Sequence, residues 1–263
     1  MASIINSDYF KLRKNIALWL LPAASLVATV VTACFMMFVD SGAATVEGGE
    51  AVSSMDVFGF DPAGAFGAHA MFSITNLYAI LAVVFSGLFI SNEYASGTIA
   101  GALCIGKSRV QVYLSKLLTS STMMLLVTLV SVLAFIGSFT VLYGFGDGSH
   151  FPGETLKIFG LQFLYHLCYA ALACMLAFLI QNIVFSVSVG IFAVIISGVL
   201  TDILTAFDGF EVFAHALPNY YITRLSEHLN DPAFITQSVI ASAVFIAVTT
   251  VIGSLAFSRK DIK

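Results

Sequence analysis

The sequence predicts an all-α integral membrane protein, one domain over residues 1–263, that crosses the bilayer six times. Three observations predict it. The first is composition: 59% of the 263 residues are hydrophobic, 10% are charged, and the mean hydropathy is +0.97. A soluble domain carries about a quarter charged residues, so this chain lacks the polar side chains to cover a water-facing surface. The second is a set of six apolar runs, Ala17–Val39, Ala70–Ser91, Leu117–Leu142, Leu156–Ile180, Ile183–Leu204 and Phe234–Phe257. Each is near or above the roughly 20 residues that a helix needs to cross the hydrocarbon core. A transmembrane barrel would show short segments of alternating polarity instead, and none is present. The third is charge placement. Lys11, Arg13 and Lys14 precede the first run, Lys107, Arg109 and Lys116 separate the second and third, and Arg259, Lys260 and Lys263 end the chain. Only Lys157 and Arg224 fall on the other side, so the positive-inside rule predicts that both termini are cytoplasmic; the expected host bilayer is the plasma membrane. The net charge of −4 hides this split and gives no argument for nucleic acid.

Residues 1–16 mix apolar and basic side chains directly before the first run. They read either as a short helix lying along the inner leaflet, its cations near anionic lipid, or as a basic tail that serves only topology. The first run is also checked against a signal peptide, because "VTAC" (Val31–Cys34) loosely fits a lipoprotein cleavage box. Apolar residues continue through "FMMFV", too long for a signal h-region, so a retained anchor is expected. Residues 40–69 form an outer segment rich in Gly, Ala and acids such as Asp40, Glu47, Glu50, Asp56 and Asp61; lacking ligand spacing, they read as a solvated loop. Residues 92–112 are the largest cytoplasmic feature. The third and fourth runs are joined outside by a Gly/Pro turn, and the fourth and fifth reverse within Gln181–Asn182. Residues 205–233 are moderately polar, with apolar and aromatic residues at helical spacing broken at Pro218. Short helices dipping into the outer leaflet fit that composition.

Inside the spans, ionisable groups are few. His166 and Asp202 read as structural, one isolated and the other near the interface. Pro22 is the only proline within a run. The fifth run carries small residues at four-residue spacing, Ser186/Gly190 and Ala193/Ser197/Thr201, which let helices approach closely. They serve packing within one bundle, a subunit contact or a translocation path. Cys34, Cys104, Cys168 and Cys174 avoid the outer loops and predict no disulfide framework. Five scattered histidines give no metal-ligand pair, so neither a metal nor another cofactor is expected in this chain.

Two motifs fail on context. "GALCIGKS" (Gly101–Ser108) fits the phosphate loop G-x-x-x-x-G-K-[ST], but such a loop joins a buried strand to a helix of a parallel sheet. Here a membrane span precedes it and another follows, with no room for a nucleotide-binding domain. "GFGD" (Gly144–Asp147) fits intramembrane aspartyl proteases, yet it lies in an outer turn with no acidic partner in the preceding run. No paired catalytic groups remain, and the chain is expected not to be an enzyme.

The third pattern is residues 90–118, "ISNEYASGTIAGALCIGKSRVQVYLSKLL". An acid, then Ser-Gly-Thr, then Ser-Arg, then a Lys opening the next span resembles the type-2 ABC exporter permeases, through Glu93, Gly97, Thr98, Ser108, Arg109 and Lys116. Within them the likeness is greatest to small bacterial permeases of lantibiotic-immunity and related peptide or drug exporters. Six spans, a basic segment before the first and an apolar outer segment before the last extend the resemblance over the whole chain. One departure is local: the family often has Pro before Ser-Arg, where this chain has Gly106-Lys107, so Gly106 is expected to make the turn.

The resemblance implies a permease that does no chemistry. Two such subunits, identical or paired with a similar one, would enclose a path, and separate ATPase subunits holding ATP and Mg would grip a cytoplasmic coupling helix. The coupling contacts it implies are Glu93, Gly97, Thr98, Leu103, Lys107 and Arg109, with Ile99, Leu103 and Ile105 as an apolar face. The candidate path or subunit-contact residues are Ser186, Gly190, Ser197 and Thr201. The apolar spans favour an amphipathic cargo, a peptide, drug or lipid. The alternative is an ATP-independent channel or secondary transporter, which usually shows intramembrane charges or interrupted helices. Against both stands a plain connecting loop whose basic residues serve topology alone.

Overall fold

The computed structural model describes residues 2–14, 16–43, 77–143, 153–207, 210–225 and 228–260. The outer segment 40–69 beyond residue 43, the start of the second run, the GFGD turn and the last three residues lie outside them. Ten helices and no strand occur among the described residues: α1 Ala2–Lys14, α2 Ile16–Ala43, α3 Leu77–Ala95, α4 Thr98–Cys104, α5 Arg109–Tyr143, α6 Gly153–Ile180, α7 Ile183–Ala206, α8 Glu211–Ala214, α9 Pro218–Arg224 and α10 Pro232–Arg259. Five of them, α3, α5, α6, α7 and α10, are long and apolar enough to cross a membrane alone. The pair α1 and α2, bent by 60° at their junction, passes the same test together. The chain is therefore an all-α, multi-pass membrane protein.

α6 is the centre of the bundle and packs against α3, α5, α7, α9 and α10. Its core face is made of small and aromatic residues, including Tyr165, Cys168, Tyr169, Ala173, Cys174, Ala177 and Phe178, all buried. The most apolar part of α3 is 61% buried and that of α6 56%, against 17% for both α7 and α10. The first two are thus core helices, while α7 and α10 turn most of their apolar surface outward.

Close approach explains the small residues. A Cβ on Gly190 would collide with Val83 of α3, and one on Gly253 of α10 would collide with the Tyr113 ring of α5. Ser186 of α7 bonds Ser91 of α3 at 2.8 Å, and Ser197 bonds the Tyr169 hydroxyl of α6 at 2.9 Å. Thr201 is buried and donates to the Ser197 carbonyl. Of the uses open to this face in the sequence, packing inside one bundle is the one its contacts show.

Two junctions differ from expectation in instructive ways. α5 begins at Arg109, eight residues before the apolar run, because its first two turns pack on α1 and α10 rather than entering lipid. Pro218 opens α9 at its first position instead of breaking a helix; a proline there forfeits no hydrogen bond. α2 runs unbroken through Cys34. The reversal at Gln181–Asn182 is as tight as its two residues imply: Gln181 takes φ 57, and the Asn182 side chain caps α7 by accepting from the Phe185 amide at 3.2 Å.

At membrane depth the core carries a seam of neutral polar groups. Thr29 of α2 bonds the Tyr78 hydroxyl of α3 at 2.5 Å, and Thr128 of α5 bonds His166 Nδ1 of α6 at 3.1 Å. The Tyr78 and His166 rings stand 5.8 Å apart. His166 is a satisfied core histidine, and Asp202 is exposed near the far end of α7.

Candidate functional site

The basic residues gather where α1, the α3–α5 connection, the Gln181–Asn182 turn and the end of α10 meet. α3 ends because Gly97 takes φ 68 and returns its amide to the Tyr94 carbonyl at 3.1 Å. α4 then runs for seven residues and closes in a Schellman turn: Gly106, at φ 84, bonds Leu103 at 2.9 Å, and the Lys107 amide bonds Ala102 at 3.4 Å. Gly106 thus makes the turn. The phosphate-loop match is the second half of α4 plus this turn, preceded by helix rather than strand.

The Ser-Arg pair has two separate physical tasks. Ser108 caps α5, its hydroxyl accepting from the Gln111 amide at 3.3 Å. Arg109 reaches across to the end of α10 and donates to the carbonyls of Phe257 (3.0 Å), Ser258 (3.1 Å) and Lys260. A cation at a helix C-terminus satisfies unpaired carbonyls and opposes the negative end of the helix dipole. Lys260 does the same for α6, donating to the Leu179 carbonyl at 2.5 Å. Just inside lie Tyr94, Tyr113, Phe178 and Phe257, one ring from each of four helices. Their centroid distances are 4.9 Å for Tyr113–Phe178 and 4.6 Å for Phe178–Phe257.

At the base of α4 a four-charge cluster joins three helices. Lys116 of α5 pairs with Asp8 of α1 at 2.5 Å and with Glu93 of α3, and Lys11 of α1 reaches Glu93 at 3.2 Å. Ser115 donates to Asp8 at 3.2 Å, and Lys116 also lies 5.3 Å from the Phe89 ring centre. Two carboxylates and two ammoniums balance. Side-chain exposure is 2% for Asp8, 3% for Lys116 and 8% for Glu93, but 38% for Lys11. Burial nevertheless pushes the Asp8 carboxyl above its ordinary value, outweighing the pull of Lys116.

Among the residues expected to meet a partner, Glu93 is therefore held inside its own chain, and Arg109 is engaged with α10. Gly97 is exposed, while Thr98, Leu103 and Lys107 are half-buried. Of the apolar face, Ile99 packs inward at 1% exposure, whereas Ile105 is 80% exposed. Asp8 and Lys11 were missed as members of this cluster. The available signal was a lone acid within a basic segment, three residues before a lysine. Between α1 and α4 a cleft of about 380 Å³ opens beside the cluster, bordered by Ser7, Lys11, Thr98, Ile105 and Lys107.

The model of one family, described as "Protein of unknown function (DUF2705)", matches residues 25–263. No curated protein matches the chain.

Proposed function

The chain belongs to the DUF2705 family, whose description gives no function, and from the geometry of its basic end we propose that it is the permease subunit of an ATP-driven exporter. In this reading α2 supplies the sixth span with α1 lying along the inner leaflet, the basic end faces the cytoplasm with both termini, and the host bilayer is the plasma membrane. Separate ATPase subunits hold ATP and Mg, and a second permease subunit, identical or similar, completes the path. The cargo is amphipathic: a peptide, drug or lipid.

The observation that carries the reading is α4. It is a short helix closed at both ends by left-handed glycines and tied without slack to two spans. Its base is fixed by buried ion pairs, and Arg109 links the start of α5 to the end of α10. A push on α4 would therefore move three long helices together. A ligand drives such a switch only through its differential affinity for two states, and the partner's nucleotide would supply it. Ile105, exposed at the tip, is the residue best placed to be gripped.

The test is co-purification of the full chain with a candidate ATPase subunit, followed by ATPase activity with amphipathic peptides and drugs. Ile105→Asp should abolish retention of the ATPase without unfolding the chain, and Lys107→Ala should at most weaken coupling. If no ATPase is retained by the wild type, or Ile105→Asp retains it fully, the reading fails.

The alternative reading is an ATP-independent channel or secondary transporter, toward which His166, an ionisable side chain within a span core, points even though it is hydrogen-bonded to Thr128. Nucleotide-free flux in proteoliposomes that is lost in His166→Phe would select it.

A further inference from the structure

We propose that the cleft between α1 and α4 binds the phosphate headgroup of an anionic lipid from the leaflet at the basic end. The proposal rests on the chain's being a membrane protein and not on its having an ATPase partner.

Depth comes first. α1 is bent by 60° from α2. Phe10 (61%), Ile16 (75%) and Trp19 (68%) stand exposed along α1 and its junction with α2. These side chains have no apolar cover from the chain, and a tryptophan beside them marks the headgroup boundary. α1 is thereby fixed at the level where lipid phosphates lie, and it forms one wall of the cleft.

Charge comes second. The two acids that border the cleft, Asp8 and Glu93, are withdrawn and balanced by Lys116 and Lys11 together. The cleft is left with one net positive charge, that of Lys107, which makes no ion pair among the described residues; Lys11, 38% exposed, adds N–H donors beyond its bond to Glu93. The Ser7 and Thr98 hydroxyls border the same space. Shape comes third. The cleft holds about 380 Å³, room for a phosphoglycerol headgroup, and its other wall is apolar, with Ile99, Ala102, Ile105 and Val112. An anion with an apolar continuation, entering at headgroup depth, fits all three features. An acidic loop of a protein partner would use the charge alone.

The test is native mass spectrometry of the full chain, purified in detergent, stripped of lipid and titrated with phosphatidylglycerol or phosphatidylcholine. The first phosphatidylglycerol should bind in preference to phosphatidylcholine. Lys107→Ala should weaken that first step about five-fold, the share of one lysine near an anionic headgroup. Lys107→Arg should restore it, and Arg13→Ala, exposed on α1 outside the cleft, should leave it unchanged. Equal binding of the two lipids would overturn the proposal. So would equal weakening by Arg13→Ala, which means diffuse surface charge. Displacement of phosphatidylglycerol by sodium phosphate at matched concentration would assign the cleft to free phosphate. A Lys107→Ala variant that keeps the lipid but loses a bound ATPase would assign it to protein. Should Lys107→Ala fail to fold by circular dichroism, the wild-type lipid preference and the phosphate competition still decide.

Discussion

Two sets of buried polar groups among the described residues are built from different chemistry. At the basic end, Asp8, Lys116, Glu93 and Lys11 form a cluster of full charges that joins α1, α3 and α5. At membrane depth, Thr29–Tyr78 and Thr128–His166 join α2 to α3 and α5 to α6 through neutral hydrogen bonds. The difference follows from where water is. A charge far from water carries a desolvation penalty that a single partner seldom offsets, whereas a hydroxyl pair carries little. The basic end has an open cleft beside it, where water can reach its charges; the seam is built of uncharged groups.

The comparison is broken most directly at Lys116. Lys116→Met leaves Asp8 and Glu93 buried together with one half-exposed lysine, and should remove about 3–5 kcal/mol of stability. An SDS-unfolding titration of the reconstituted chain measures it; a loss under about 1 kcal/mol would mean the cluster is solvated and the contrast false. Next comes Gly253, at the border of the charged end, where an added methyl collides with the Tyr113 ring. Gly253→Ala should cost about 1–3 kcal/mol. Gly198→Ala, whose nearest neighbour is Asn219 at 3.6 Å, should be close to neutral, and equal effects would show that packing does not distinguish the sites.

The seam should yield less. Thr128→Val is expected to lose about 0.6 kcal/mol, the average for hydrogen bonds between membrane helices, with no dependence on salt. A loss as large as that of Lys116→Met would erase the distinction between the regions.

Smallest is the pH effect. The folded Asp8 carboxyl titrates above its ordinary value of 3.8 because burial disfavours its charge. Its contribution to stability is therefore fully present below that ordinary value and is lost as pH rises through the folded one. The melting temperature of the wild type minus that of Asp8→Asn should fall from acid toward neutrality. A rise would mean that Lys116 outweighs burial.

The long helices were legible because length and hydropathy alone decide them; α6 and α7 end where the runs do, within a few residues. The Gly106 turn was legible too, since glycine at a helix end has one common use. Pro218 was legible as a landmark but not in its direction, because proline both stops a helix and starts one. The Ser-Arg pair could be seen only as a pattern: Ser108 acts locally, but the Arg109 carbonyl partners lie about 150 residues away in sequence. Asp8 was invisible for the same reason. In the sequence it is a surface acid among lysines, and only the fold brings Lys116, 108 positions later, against it.

The Gln181–Asn182 turn has a consequence for how the protein is made. Two linking residues make three backbone steps and reach at most roughly 11 Å, so the end of α6 and the start of α7 stay side by side at every stage. Neither helix can be left waiting in water while the other crosses, because both are strongly apolar. They have to enter the bilayer as one hairpin, and α6, the hub, then arrives with its first neighbour already in place.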